Sequence, residues 1–144
     1  YVIDFPPVLL YYLTSTRRDF LMSIKSSTVA IYRQLIEHFE LEIASGRLPS
    51  GSRIDSIRDL ALEFKVNPNT VQKALAELER DGLIITDRTN GKFIIEDTEK
   101  IRELAHSLAS NIVTSFIEST KTLGFDKEEA LELVDQAWEE TINE

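Results

Sequence analysis

Amide, hydroxyl and basic side chains are concentrated in one run of this 144-residue chain, Asn-Pro-Asn-Thr-Val-Gln-Lys at residues 67–73. Asn and Gln can pair bidentately with adenine, and Lys can reach the acceptor atoms of guanine. A protein that reads DNA also needs phosphate contacts, which fix its register on the duplex. We therefore select as candidate nucleic-acid contacts Arg53, Asn67, Pro68, Asn69, Thr70, Gln72, Lys73, Arg88, Asn90, Gly91 and Lys92.

Several candidates also have an ordinary structural interpretation. Asn67 can cap a helix that begins with Pro68, and Thr70 can bond its own backbone. Lys92 can be a solvated charge. Arg53 can pair with either of two nearby aspartates, Asp55 and Asp59. The cluster is therefore a stronger prediction than any single member, and Lys65 is a further outside candidate.

Three helices are predicted to hold this run in place. From Ala30 to Ser45 apolar residues recur every four positions, which is typical of an amphipathic helix, and Gly46 ends it. A second helix is capped by Ser56, with Asp59 in the position of a capping box, and runs to about residue 64. A third helix begins after Asn67 and stops at residue 82, with these residues toward the core: Val71, Ala74, Leu75 and Leu78.

Two short β-rich runs follow the third helix, at 83–86 and 92–95, around a turn at 88–91. Two short helices joined by a tight link, followed by a hairpin, make a winged helix-turn-helix. The predicted fold is mainly α with a small β-hairpin, with the recognition helix at 68–81 and the wing at 84–95.

The order and spacing of these motifs resemble the DNA-binding domain of the GntR family of bacterial transcription regulators. The motifs are Ile31-Tyr32, Gly46-Arg47-Leu48, Gly51-Ser52-Arg53-Ile54, Ser56-Ile57-Arg58-Asp59-Leu60-Ala61, Val66-Asn67-Pro68-Asn69-Thr70-Val71, Ala74-Leu75, Leu78-Glu79, Gly82-Leu83-Ile84 and Gly91-Lys92-Phe93. The sequence at 67–73 is similar to that of the YtrA-type branch of the family. Asp55 stands where the family usually has proline, and Thr89-Asn90-Gly91 replaces its usual Gly-x-Gly.

The resemblance implies a sequence-specific transcription regulator, a repressor that binds a double-stranded DNA operator and occludes a promoter. It also adds Arg58 to the candidate contacts, as a residue that touches the DNA backbone, with a solvated helix charge as its alternative. A winged-helix protein-interaction module without specific DNA binding is the alternative function, since residues 26–95 are nearly neutral, with 9 basic and 10 acidic side chains.

The net charge of −9 comes from the end of the chain, because residues 96–144 hold 4 basic and 13 acidic side chains. This change of composition predicts three segments: an N-terminal extension at 1–25, a winged domain at 26–96 and a C-terminal segment at 97–144. The start of the extension is apolar but contains Pro6-Pro7 and is too short to cross a membrane. It is either a loose extension ahead of Met22 or an arm that packs on a neighbour.

The C-terminal segment is predicted to form two amphipathic helices, one at 98–122 and one opened by Asp126 with Glu129. Two helices cannot close a core alone, so their apolar stripes must pack on the winged domain or on another chain. By resemblance to the YtrA-type arrangement we expect a homodimer on a pseudo-palindromic operator. The predicted dimerisation residues are Leu104, Leu108, Ile112, Phe116, Leu131, Val134 and Trp138. Trp138 has a ligand platform as its alternative role.

The sequence offers no set of residues for catalysis or metal binding. It has no cysteine and no glycine-rich phosphate loop. His38 and His106 are too far apart in sequence to suggest a metal cluster. We therefore expect a cytoplasmic protein that is not an enzyme and uses no cofactor or metal, while a small-molecule effector is left open.

Overall fold

The computed structural model describes residues 30–142, with side chains described as far as residue 140. Along the chain the elements are α1 (Ile31–Ala44), α2 (Ile57–Phe64), α3 (Pro68–Arg80), β1 (Ile84–Asp87), β2 (Gly91–Ile94), α4 (Thr98–Thr122) and α5 (Lys127–Ile142). The predicted class, mainly α with a small β-hairpin, is confirmed. The predicted N-terminal extension at 1–25 lies outside the described residues.

The chain divides into two compact units. We call the first, described from residue 30 to His106, the winged unit, and the second, Ser107–Glu144, the tail unit. Helix α4 begins in the winged unit, where Ile101 and Leu104 pack against the core. Leu104, which the sequence analysis assigned to dimerisation, is therefore already partly buried by the winged unit.

The helix-turn-helix begins each of its helices with a side-chain cap. The Ser56 hydroxyl accepts a hydrogen bond from the Asp59 amide at 3.2 Å and donates one to the Asp59 carboxylate at 2.6 Å. Asn67 Oδ1 accepts from the Asn69 amide at 2.8 Å, with Pro68 at the first helical position. Both predicted caps are confirmed, and each satisfies an amide that the helix itself leaves unpaired.

A single apolar core joins α1, α2, α3 and the hairpin. Every residue that the sequence assigned to the inner face of α3 is buried, and Leu35, Phe39 and Ile43 of α1 pack against them. Phe39 meets Phe64 of α2 edge to face, with ring centroids 6.0 Å apart. The helix-turn-helix is thus held by α1, which leaves the opposite side of α3 open to solvent.

The wing is an antiparallel hairpin whose strands pair from Ile84↔Ile94 to Asp87↔Gly91. Its strands lie at 84–87 and 91–94, so the predicted bounds of 83–86 and 92–95 are each wrong by one residue. The cause is a tight three-residue tip. The Asp87 carboxylate accepts hydrogen bonds from the amides of residues 89 and 90, two of the three tip residues, and Gly91, at φ +102°, already pairs in the ladder.

Residues 52–54, which we call the bridge segment, pair with β2 through an isolated β-bridge that the sequence analysis missed. The amide of Ile54 donates to the Lys92 carbonyl at 2.9 Å, and the amide of Ile94 donates to the Ser52 carbonyl at 2.9 Å. Arg53 thereby pairs with Phe93 on the free edge of β2. This pairing connects the segment before α2 to the base of the wing.

The tail unit contains the end of α4 and all of α5. The predicted bounds of 98–122 for the first helix are confirmed. Asp126 Oδ1 accepts from the Glu129 amide and Glu129 Oε2 accepts from the Asp126 amide, both at 2.9 Å, which forms the predicted reciprocal cap. Within the described residues, no helix is both long enough and apolar enough to cross a membrane.

Candidate nucleic-acid interface

The first two turns of α3 present polar side chains to solvent. Asn67, Pro68, Asn69, Gln72 and Lys73 are exposed and Thr70 is half-buried, while the apolar residues of the same turns are buried. Amides and a lysine on an exposed helix are the groups that read base edges in a major groove. The structure therefore presents this run on one accessible surface, although Asn67 also has the capping role that was its alternative.

Lys73 is held by an aromatic ring that the sequence analysis did not select. Its Nζ lies 3.6 Å from the ring centroid of Tyr32, at the start of α1. A cation over an aromatic face is attracted by the ring quadrupole, so Tyr32 restricts where the ammonium can lie. Nothing in the local sequence signals this contact, because it depends on how α1 packs against α3.

Two arginines on or near the second helix are exposed, and neither forms an ion pair with another described residue. Arg58 lies on α2, and Arg53 lies on the bridge segment, where a Cβ at Gly91 would be 3.4 Å from Arg53 Nε. The alternative in which Arg53 pairs with Asp55 or Asp59 is wrong, because the strand pairing places Arg53 beside the wing. Asp59 is instead bound to the cap of α2.

Lys65, the outside candidate, lies in the link between α2 and α3. It is exposed and adopts the left-handed conformation, with φ +54° and ψ +44°, at the C-cap of α2. A non-glycine residue in this region is uncommon. Its backbone therefore makes the sharp turn between the two helices.

The tip of the wing is internally hydrogen-bonded around Asp87. Besides the two tip amides, the Asn90 side-chain amide donates to Asp87 Oδ2 at 3.3 Å. The backbone donors from Asn90 and Thr89 hold the pKa of Asp87 below its usual range, since they stabilise the carboxylate. Asn90 is therefore committed to the turn, whereas Arg88 is exposed and forms no ion pair within the described part of the chain.

Lys92 is not the solvated charge that was one alternative for it. Its Nζ donates to Glu79 Oε2 at 2.8 Å and to Thr86 Oγ1 at 2.6 Å, and its side chain is 24% exposed. The hydrogen bond from Lys92 holds the pKa of Glu79 below its usual range. Glu79 was missed by sequence reasoning, since it lies thirteen residues away on a different element.

Some of the described candidates lie against each other. Asn67 accepts a hydrogen bond from the Asn69 amide, and Arg53 lies beside Gly91. Arg58, Gln72 and Arg88 lie on three separate elements of the same unit, the second helix, the third helix and the wing. The surface is thus assembled from distant parts of the sequence.

Comparison with known proteins decides the family. Residues 31–94 match the family described as bacterial regulatory proteins, gntR family. Over 106 residues the chain is 37% identical to the uncharacterised HTH-type transcriptional regulator YhcF of Bacillus subtilis, covering 74% of this chain and 88% of that protein. The chain belongs to the GntR family. It is a winged-helix transcription regulator with a DNA-binding domain.

Further similarities extend this GntR-family assignment. Over 73 residues the chain is 40% identical to the transcriptional repressor YtrA of Bacillus subtilis, covering 51% of this chain and 56% of that protein. A GntR-family transcriptional regulator from Listeria monocytogenes superposes with a TM-score of 0.72 at 34% identity, over 77% of this chain and 97% of the other. A transcriptional regulator from Oenococcus oeni gives 0.67 at 27% identity, over 78% and 94%.

The matched GntR region contains every candidate DNA contact, from Arg53 to Lys92, and ends before α4. The similarity to YhcF covers 106 residues and therefore continues beyond this region. The resemblance inferred from the sequence, including its likeness to YtrA, is confirmed.

Proposed function

We propose that this GntR-family protein is a homodimeric repressor that binds a pseudo-palindromic operator and occludes a promoter. The observation that carries the proposal is the surface of α3, where Asn69, Gln72 and Lys73 are exposed while Val71 and Ala74 of the same turns are buried. An exposed row of this kind can enter a major groove without disturbing the core. Such a repressor acts in the bacterial cytoplasm, where its DNA lies.

Phosphate contacts come from the exposed arginines around this helix. Arg58 on α2, Arg53 on the bridge segment and Arg88 at the wing tip each offer a charge to the DNA backbone. Asn67, Pro68, Thr70, Asn90 and Gly91 shape the backbone from which these contacts are made. Each phosphate that is neutralised adds about 0.9 to the slope of log affinity against log salt concentration.

The tail unit supplies the dimer interface in this proposal. Leu131, Val134 and Trp138 of α5 are exposed, and Leu108, Ile112 and Phe116 of α4 are half-buried. Apolar side chains at these positions are typical of a surface that a partner covers. Leu104 is left out of the interface because it packs on the winged core. A two-fold symmetric dimer would present two copies of α3 to two half-sites.

The test begins with selection of double-stranded DNA from a random pool by the full chain. Fluorescence anisotropy with the selected sequence then measures affinity across a salt series. We expect Arg58→Ala to weaken binding and to lower the salt slope by about one. Arg102→Ala removes an exposed charge from α4, outside the candidate surface, and serves as the control.

The proposal fails if no sequence is enriched, or if the selected sequence binds no more tightly than random DNA at moderate salt. Sedimentation of the same protein tests the second part. A monomer at micromolar concentration would contradict the proposed dimer, and the DNA-binding assay would then test the DNA contacts separately.

A further inference from the structure

One ion pair joins the recognition helix α3 to both strands of the wing. Glu79 lies in the last turns of α3, Thr86 lies on β1, and Lys92 is the direct cross-strand partner of Thr86 on β2. The Lys92 ammonium donates to both other side chains, at 2.8 Å to the carboxylate and 2.6 Å to the hydroxyl. Three elements that are separate in sequence therefore meet at one nitrogen atom.

The surroundings favour retention of this arrangement. Glu79 follows Leu78, which is completely buried, and Lys92 lies two residues before Ile94, which is almost so. The core therefore fixes α3 and the base of the wing, whereas residues 85–90 toward the wing tip are exposed and lie outside it. The ammonium has three donors and uses two of them within the protein. A DNA phosphate would have to displace the Glu79 carboxylate or share the remaining donor.

We propose that Glu79 is a positioning residue for DNA binding, which holds the wing at a set distance from α3 through Lys92 and Thr86. Lys92 stays with Glu79 in the complex and makes no phosphate contact of its own. Its contribution to affinity comes from the placement of Arg88 at the wing tip. This inference rests on the proposed DNA-binding function and replaces the direct contact that the sequence predicted for Lys92.

The DNA test uses the operator selected above and four variants: Lys92→Met, Lys92→Arg, Glu79→Gln and the double variant Lys92→Met/Glu79→Gln. We expect each neutralising single variant to weaken binding by about three- to fivefold, the upper range for a partly exposed ion pair. The double variant should bind no more weakly than either single variant, because both remove the same interaction. Lys92→Arg, which keeps a charged donor, should restore most of the affinity.

The salt slope separates a positioning role from a phosphate contact. Lys92→Met should leave the slope unchanged, whereas Arg58→Ala lowers it by about one. Glu77→Gln is the matched control for Glu79→Gln, since it removes the same charge from the same helix at a surface pair with Arg80. A slope that falls by about one in Lys92→Met overturns the proposal. So does tighter binding by Glu79→Gln than by Glu77→Gln, because that result means that Glu79 competes with DNA for Lys92.

A carboxyl NMR titration of Glu79 tests the pair without depending on affinity. We expect a depressed pKa in the free wild-type chain, a higher pKa in Lys92→Met, where only the Thr86 hydroxyl still lowers it, and a depressed pKa in the DNA complex. A Glu79 pKa in the wild-type complex as high as that in Lys92→Met shows that Lys92 has left Glu79, and it overturns the proposal. If selection returns no operator, the proposed function fails, and the titration of the free chain still supports or refutes the pair.

Discussion

The winged unit and the tail unit have the same helical spacing of apolar residues but bury those residues to different extents. In the winged unit the apolar stripes of α1, α2 and α3 meet in one core, and Leu78 is completely buried. In the tail unit Leu131 of α5 is 53% exposed and Trp138 is 68% exposed. The tail unit is also strongly acidic, with nine acidic and two basic side chains between Ser107 and Glu144.

The difference shows that an amphipathic pattern leads to burial only where other elements supply surfaces to cover it. Three helices and a hairpin provide enough surfaces to enclose each other, so the main apolar stripes of α1, α2 and α3 are buried within the unit, although single apolar side chains such as Leu62 remain exposed. Two helices can cover only the sides that face each other, so their other apolar side chains stay in water. The pattern in the tail unit therefore indicates an interface, whereas the same pattern in the winged unit indicates a core.

The largest expected effect tests whether the winged unit has a closed apolar core and the tail unit has none. Leu78→Ala should lower the free energy of unfolding by about 2–5 kcal/mol, because it removes buried methyl groups and leaves a cavity. Leu131→Ala in the tail unit should lower it by less than about 1 kcal/mol at protein concentrations too low for dimerisation. Urea denaturation of both variants measures this. Equal losses at low concentration would contradict the comparison.

A second change tests the tail unit as an interface. Trp138→Glu should weaken the proposed dimer by at least about thirtyfold, equivalent to ~2 kcal/mol, because it places a charge where an aromatic anchor would be covered. Leu62→Glu is the matched control, since Leu62 is 70% exposed on α2 of the winged unit. Sedimentation equilibrium gives both dissociation constants. A dimer that tolerates Trp138→Glu would place the interface elsewhere.

The helix caps give a smaller effect in each unit. Ser56→Ala removes the cap of α2 and should lower the free energy of unfolding by ~1 kcal/mol. Asp126→Ala removes the reciprocal cap of α5 and should lower helicity and weaken the dimer by a comparable free energy. Circular dichroism with denaturation follows the first and sedimentation the second. A Ser56→Ala protein as stable as wild type would show that α2 is held by packing alone.

The smallest expected effect concerns pH and lies within the winged unit. Burial raises the pKa of Glu40, and the nearby carboxylates of Glu37 and Asp81 raise it further. A raised folded pKa favours the protonated folded state, so stability falls as pH rises from below the ordinary value through the folded value. Glu40→Gln should therefore stabilise the protein by less than about 1 kcal/mol at pH 7 and not at pH 3. Stabilisation of the same size at both pH values would contradict this origin.

Most of the secondary structure could be read from local patterns. The caps at Ser56 and Asn67, the buried face of α3 and the bounds of α4 follow from residue types within a few positions of each other. Hydrogen bonds within a helix join residues four apart, which explains why such patterns are informative. The strand bounds were harder, because the tip at Asp87 depends on a side chain that accepts from two later amides.

The candidate site was predictable in residue type but not in contact. The amides and the lysine of α3 could be selected from the sequence as exposed polar groups at the start of a helix. The position of Lys73 over Tyr32, of Arg53 beside Gly91 and of Lys92 against Glu79 could not. Each of these contacts joins two elements whose separation along the chain carries no information about their distance in space.

The sequence by itself determined the family, the order of the elements and which side chains could contact DNA. Those properties depend on local spacing and on residue chemistry. Only the tertiary structure decided which of the charges are available, because packing of α3 against the wing brings Glu79 to Lys92, while Arg58 and Arg88 form no ion pair within the described residues. It also packed Leu104 partly against the winged core and left Trp138 exposed, since burial depends on the surfaces that surround a helix and not on its own pattern.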